Sequence, residues 1–341
     1  MKELILSICM PVYNGGDRLI ANIKKILHSQ DQRFELVICD NGSTDGAIES
    51  LQEMQDNRLQ IYVNEKNLGP LENGLRVLER GNGKYLMQLL DRDILQTEYL
   101  SAYIDMLETQ TAGVILNLYV HAGLGDNWSL NRTEEAVFWI LESPHPSFYV
   151  FLREAFQEMS ITDWMKSEGY YSACCGLMIL KHYAVIMQRE YPIVLEAEKE
   201  YIYMHSSRSH IFLHAKEIDV VKSGSGFDQD SVFIRFQNYI SFVKKQMKPV
   251  DRGILLGIYR ANLKSVSPGY FSIIRSCLHC HRYSIPDKKY ASWEYKKLPF
   301  WFYRRAKLAI KSEGMWSLPL QWKMWWTTWR CRQKFCREIC N

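Results

Sequence analysis

The first 120 residues alternate between two hydrophobic periods. Leu4 to Val12 is a mostly apolar run, the pattern of a strand buried on both faces. Asp17 to Ser29 then places Leu19, Ile20, Ile23, Ile26 and Leu27 on one side of a helix. The alternation continues through strands at Phe34–Cys39, Leu59–Val63, Tyr85–Leu90 and Val114–Val120. Helices are expected over Gly46–Gln55, Leu71–Arg80 and Thr97–Thr109. Strands and helices in strict alternation, with short connections, predict an α/β fold with a mainly parallel sheet between helices. Later pieces are less regular. Tyr170 to Leu180 reads as a further buried strand, and from Asp230 a helical stripe runs through Val232, Phe233, Phe236, Ile240 and Val243. Helices are expected to the end, broken at Pro268, Pro286, Pro299 and Pro319. A loop at Ser223–Gly226 suggests two regions, 1–225 and 226–341.

Charge separates the same regions. From Lys288 onward there are 13 Lys and Arg against 3 Asp and Glu, a balance of +10, whereas the whole chain carries only +4. Seven of the ten tryptophans lie in that tail, so it faces a different partner from the body. The nine cysteines have no framework spacing and predict free thiols. No apolar stretch approaches the roughly 18 to 20 residues that span a bilayer, and no signal sequence precedes the first strand. A cytoplasmic protein, peripheral on the inner face of the plasma membrane, is the expectation.

In a parallel sheet, ligands bind beyond the carboxyl ends of the strands. Those ends are polar here: Pro11-Val12-Tyr13-Asn14, Asp40-Asn41-Gly42-Ser43-Thr44-Asp45, Asn67-Leu68-Gly69-Pro70 with Asn73, and Asp91-Arg92-Asp93. Two carboxylates one residue apart repel unless water or a cation screens them. A hard divalent cation, Mg²⁺ or Mn²⁺, sharing its shell with substrate phosphates would do so.

These four motifs, in this order and spacing, resemble family 2 glycosyltransferases of the GT-A fold. The resemblance implies a nucleoside pocket lined by Pro11, Val12, Tyr13 and Asn14, with Asp40 accepting a hydrogen bond from the base. Asn67, Asp91 and Arg92 would complete the nucleotide-sugar site, and Asp93, with Asp91, would hold the cation. Ile94 stands where the pattern often has a further acid. Such enzymes move a sugar from a nucleoside diphosphate donor, here a UDP-sugar, to an acceptor hydroxyl with inversion. That requires a general base, and the acidic segment Glu196–Glu200 is where the resemblance implies one. Glu198 is the first choice, with Glu196 and Asp163 behind it. The acceptor would be a saccharide or a lipid-linked oligosaccharide of a surface polysaccharide.

Two other functions compete. A sugar nucleotidyltransferase needs a Gly-rich basic loop after the first strand, and the Pro11–Asn14 sequence fills that place. A degenerate scaffold that keeps the fold is opposed by the intact Asp40, Asp91 and Asp93. Other metal-ligand letters, in His205, His210 and His214 or in Cys277, Cys280 and His281, read better as ordinary surface or core residues. In the tail, Trp322, Trp325, Trp326, Trp329, Cys336 and Cys340 are read on one helical stripe, with Lys323, Arg330, Lys334 and Arg337 on the opposite side. That pattern suits a helix lying on an anionic membrane surface, and no nucleic-acid-binding module accompanies the charge.

Overall fold

The structure, a computed structural model, describes residues 3–117, 128–142, 145–161, 171–187, 193–194, 201–206, 209–214, 229–265 and 298–339. The chain divides into two compact units, the first made of 1–131 and 143–197, the second of 132–142 and 198–341.

The first unit is built on an eight-stranded sheet. Strands β1 (Leu6–Val12), β2 (Phe34–Asp40), β3 (Leu59–Val63) and β4 (Tyr85–Gln88) form its parallel half. The remainder comes from β6 (Val114–Leu116), β7 (Trp128–Ser129), β8 (Tyr149–Leu152) and β9 (Val185–Met187), in the order β3-β2-β1-β4-β8-β6-β9-β7. A short β5 (Ile94–Leu95) pairs separately with β10 (Ile193–Val194). Helices α1 (Gly16–Leu27), α2 (Ala47–Gln52) and α3 (Pro70–Glu79) join the parallel strands, and α4 (Leu100–Thr109) follows β5. Strands β1 and β2 are buried almost throughout, which is why their sequences read as continuous apolar runs rather than as alternation. The register sets Val12 against Asp40, and Asp40 against Val63, so three strands end side by side.

Gly83 fixes where β4 starts. A β-carbon there would lie 2.6 Å from the Ser7 amide nitrogen and 2.7 Å from the Leu6 carbonyl carbon. Its amide donates to the Ser7 hydroxyl, which donates in turn to the Glu35 carboxylate, and Glu35 also receives the Asn82 amide. This buried network ties β1, β2 and β4 together at the end of the sheet opposite their polar ends.

The sheet is mainly parallel, as expected, with β8 antiparallel to both β4 and β6. Two features differ from the sequence reading. The segment read as a buried strand at 170–180 is helix α7 (Tyr171–Ile179), after the short α6 (Arg153–Gln157). Eight of the nine residues of α7 are buried, and a run apolar on every side carries no period to separate strand from helix. The division between units also differs from the boundary at residue 225. Helix α5 (Thr133–Glu142) belongs to the second unit, where it lies on α9 (Arg252–Ser265). Gly257 permits this approach: a β-carbon there would sit 2.5 Å from that of Val137.

Among the described residues, the rest of the second unit is helical apart from one hairpin, β11 (Tyr201–Ser206) with β12 (Ser209–His214). Its helices are α8 (Gln229–Gln246), α10 (Leu298–Ser312) and α11 (Leu318–Ile339). Phe302 meets Phe236 edge-on at 5.4 Å and stacks on Tyr259 at 5.5 Å, and the Tyr259 hydroxyl shares a 2.6 Å hydrogen bond with Thr328. The expected stripe of α8 is buried, from Val232 to Val243. Pro299 and Pro319 stand in the first turns of α10 and α11, where proline lacks only an N–H that a first turn leaves unbonded. Pro268 and Pro286 lie outside the described residues.

Candidate functional site at the strand ends

The turn after β1 needs an asparagine. Asn14 has a φ of 53°, a left-handed conformation that asparagine tolerates better than most side chains. Its amide donates to the Ser43 hydroxyl at 2.8 Å, and its side-chain oxygen accepts from the Thr44 amide at 2.9 Å. The Gly16 amide donates to Asp45 at 2.7 Å. The turns after β1 and β2 are thus stitched to each other. Tyr13, between them, keeps 53% of its surface exposed.

Asp40 ends β2 and is buried. Its carboxylate receives the amides of Gly42 and Ser43 and, at 2.5 Å, the Ser43 hydroxyl. It closes this turn, while Gly46 occupies the N-cap of α2. The Ser43 amide is shared between both carboxylate oxygens, so each oxygen takes part in two contacts.

Four asparagines join the ends of β2 and β3 to α3. Asn41 donates to Asn67 at 2.9 Å, and Asn64 donates to Asn73 at 2.8 Å and to Asn41 at 3.3 Å. Asn73 donates to the Cys39 carbonyl at 2.9 Å, and Asn41 receives the Leu68 amide. Asn67, expected at the nucleotide, also receives the Gly69 amide at the start of α3. The network satisfies buried polar groups without placing a formal charge among them.

The turn after β4 separates its two aspartates. The Asp93 amide bonds the Leu90 carbonyl at 2.9 Å, leaving Asp91 and Arg92 at the tip, both partly exposed. Burial raises the Asp91 carboxyl pKa, and Arg18 and Arg92 pull it the other way. Asp93 is 0% exposed. Its Oδ2 accepts from the Ser147 hydroxyl at 2.5 Å, and that hydroxyl accepts from the Leu90 amide at 3.1 Å. Its backbone carbonyl accepts from Asn22 on α1 at 2.7 Å. His145 lies 3.6 Å from the same carboxylate oxygen. Burial, and secondly Arg92, depress its pKa to about 3, so the imidazole is neutral, and its Nδ1 accepts the Ser147 amide.

Asp91 is partly exposed, and Asp93 is buried with its Oδ2 on Ser147. No group of three or more His, Cys, Asp or Glu among the described residues could hold a metal. Mg²⁺ requires no such group, because it keeps waters and substrate phosphates as ligands and uses one or two carboxylates.

Of the expected site residues, the strand ends gather Pro11, Val12, Tyr13, Asn14, Asp40, Asn67, Asp91 and Arg92 at one edge of the sheet. Glu198, Glu196 and Asp163 lie outside the described residues. Asn22 escaped the sequence reading, although a polar residue on the buried face of α1, between Leu19 and Ile23, was a usable signal. Ser147 and His145 carried none, being more than fifty residues from the turn they hold.

A parallel half-sheet whose stitched carboxyl ends present one exposed aromatic ring and two acids defines an α/β protein of the GT-A type. The sequence pattern of glycosyl transferase family 2 matches residues 7–177, half of the chain, and the chain belongs to that family. It is 29% identical to glycosyltransferase GlyG of Streptococcus pneumoniae over 121 residues, 35% of this chain and 40% of that protein. It is 28% identical over 107 residues to the Escherichia coli enzyme WfgD, named as a UDP-Glc:alpha-D-GlcNAc-diphosphoundecaprenol beta-1,3-glucosyltransferase, covering 31% of this chain and 42% of that one. The chain therefore spans less than half the length of these relatives. Among solved structures, the mannosyltransferase PcManGT of Pyrobaculum calidifontis, in complex with GDP-Man and Mn²⁺, has a TM-score of 0.50. It is 14% identical, with 98% of this chain and 88% of that chain covered, a likeness of fold.

Proposed function

We propose that this protein transfers a monosaccharide from a nucleoside diphosphate sugar, a UDP-sugar, to a hydroxyl of a saccharide or lipid-linked oligosaccharide during bacterial surface polysaccharide synthesis. The observation that carries the reading is the edge where β1 and β2 end side by side, with exposed Tyr13 beside the Asp40 turn and Asp91 at the tip after β4. Tyr13 and Pro11 would flank the base, and Asp40 would accept from it. Arg18 and Arg92, the charges that oppose the raised pKa of Asp91, would face the diphosphate. Mg²⁺ or Mn²⁺ would be held by Asp93 with Asp91 and, when bound, opposes the charge that develops on the leaving diphosphate. Transfer with inversion needs a carboxylate to take the acceptor proton, and Glu198 is the proposed base. The activity named for WfgD supports a lipid-linked acceptor, and with it a place on the cytoplasmic face of the membrane.

The experiment is calorimetric titration of the full chain with a panel of nucleotide sugars, with and without Mn²⁺, followed by a transfer assay. Cation-enhanced binding of one donor, with turnover, is expected. If no donor binds, the proposal fails. Binding without turnover on any acceptor would favour a sugar-nucleotide-binding scaffold.

A further inference from the structure

Helix α11 has a packed face and an open one. Leu320, Met324 and Thr328, spaced by four, are buried in the second unit, and Thr328 is tied to Tyr259. At about 100° per residue, the far side of the helix carries Leu318, Trp322, Trp325 and Trp326. Trp322 is 67% exposed and Trp326 43% exposed. The tryptophans are not loosely arrayed: Trp322 stacks on Trp325 at 5.9 Å, and Trp326 on Trp329 at 5.0 Å. Lys323 and Arg330 are exposed along the flank of this stripe. The side opposite the tryptophans is thus the anchored side, not a basic one.

Neighbouring α10 extends the same chemistry. Arg304, Leu308 and Lys311 lie one turn apart on a single exposed side, with Leu308 66% exposed. Between residues 298 and 333 there are seven Lys and Arg and one acid, Glu313. That acid is already bound to Lys244 at 2.6 Å.

A row of stacked indoles in water is costly unless something covers it. We infer that this surface docks on an anionic phospholipid bilayer, with the tryptophans at the level of the headgroups and the Lys and Arg side chains on lipid phosphates. Charge complementarity selects this occupant. Indole combines an apolar body with a polar N–H, which suits an interface that is dry on one side and wet on the other. A second copy of the chain would bring the same positive charge to the contact. The helix lies on the surface and does not cross it, since no described helix is long and apolar enough to span a membrane. The inference is independent of the donor site, because it concerns binding with no nucleotide present.

The test is co-sedimentation of the full-length protein with phosphatidylcholine vesicles, with and without phosphatidylglycerol, at low and high salt. Wild type should bind the anionic vesicles selectively and release them at high salt. Trp322→Ser with Trp326→Ser, both at exposed positions, should melt like wild type and bind at least about tenfold more weakly. Lys323→Glu with Arg330→Glu should weaken binding on the order of 30-fold. Equal binding to both vesicle types, or unchanged binding by the tryptophan variant, would overturn the inference. Sedimentation velocity without vesicles covers the rival occupant: a dimer that the tryptophan variant abolishes would mean that the stripe is a self-contact, and would overturn it too.

Discussion

The Ser147 hydroxyl lies 2.5 Å from the buried carboxylate of Asp93, fifty-four residues earlier in the chain. Through the Leu90 amide, the same hydroxyl also holds the strand that leads into the turn. Asp93 therefore works as a fastener for the tip on which Asp91 and Arg92 stand.

Substitutions at the two aspartates should separate accordingly. Ser147→Ala should cost about 1–3 kcal/mol, since it leaves a buried carboxylate and a buried amide short of a partner. Asp93→Ala should lower the melting temperature as well. Asp91→Ala, at a partly exposed position, should melt near wild type and reduce cation-dependent turnover by roughly 10²–10³-fold. Thermal melts beside a transfer assay decide it. A normal melt for Asp93→Ala with lost turnover would make the cation, rather than the turn, the main role of Asp93.

Tyr13→Ala tests the nucleoside face. Stacking of a base on an aromatic ring is worth about 1–3 kcal/mol, so donor affinity should fall roughly tenfold or more with little change in stability. Calorimetric titration with the nucleoside diphosphate alone isolates this contact from the sugar.

His145 predicts a pH dependence. An ordinary histidine titrates near pH 6.5, and burial holds this one at about 3. Between those values the unfolded chain takes up a proton that the folded chain refuses. The stabilisation is complete above the unfolded value and is lost as pH falls through the window. Between about pH 7.5 and about pH 5 the denaturant midpoint should fall further for wild type than for His145→Gln. Equal slopes for the two proteins would place the acid sensitivity elsewhere.

Gly83→Ala should be among the costlier single-methyl changes. The new carbon would press on backbone atoms of Leu6 and Ser7, which cannot rotate away. Overpacking of this kind costs about 1–3 kcal/mol, measurable as a shifted denaturant midpoint. Gly46→Ala, with open space but a φ of 78°, should cost about 1 kcal/mol from backbone conformation alone.

The parallel half of the sheet was legible because its signals are local. Apolar runs ended in polar turns, and α1 showed a one-sided stripe. The site was legible in the same way wherever a residue acts within its own turn, as Asp40 does with Gly42 and Ser43. What escaped depends on distant partners. The Ser147 bond to Asp93 comes from fifty-four residues away, and nothing in Asp91-Arg92-Asp93 announces it. Helix α7 escaped because burial on all sides erases periodicity. The antiparallel β8 escaped because orientation within a sheet is set by connection, not by composition.

The path of the chain has a practical consequence for dissection. Because α5 belongs with α9, the backbone passes between the two units three times, near residues 131, 142 and 197. No single cut releases the first unit intact. A protein ended near residue 197 would retain α5 with Ala136, Val137 and Ile140, all buried in the full chain, and no helix to receive them. Such a fragment should aggregate whatever the soundness of its donor site. Separating the halves would require excising 132–142 and bridging the gap with a flexible linker, so the units are interleaved in sequence even though each has its own core.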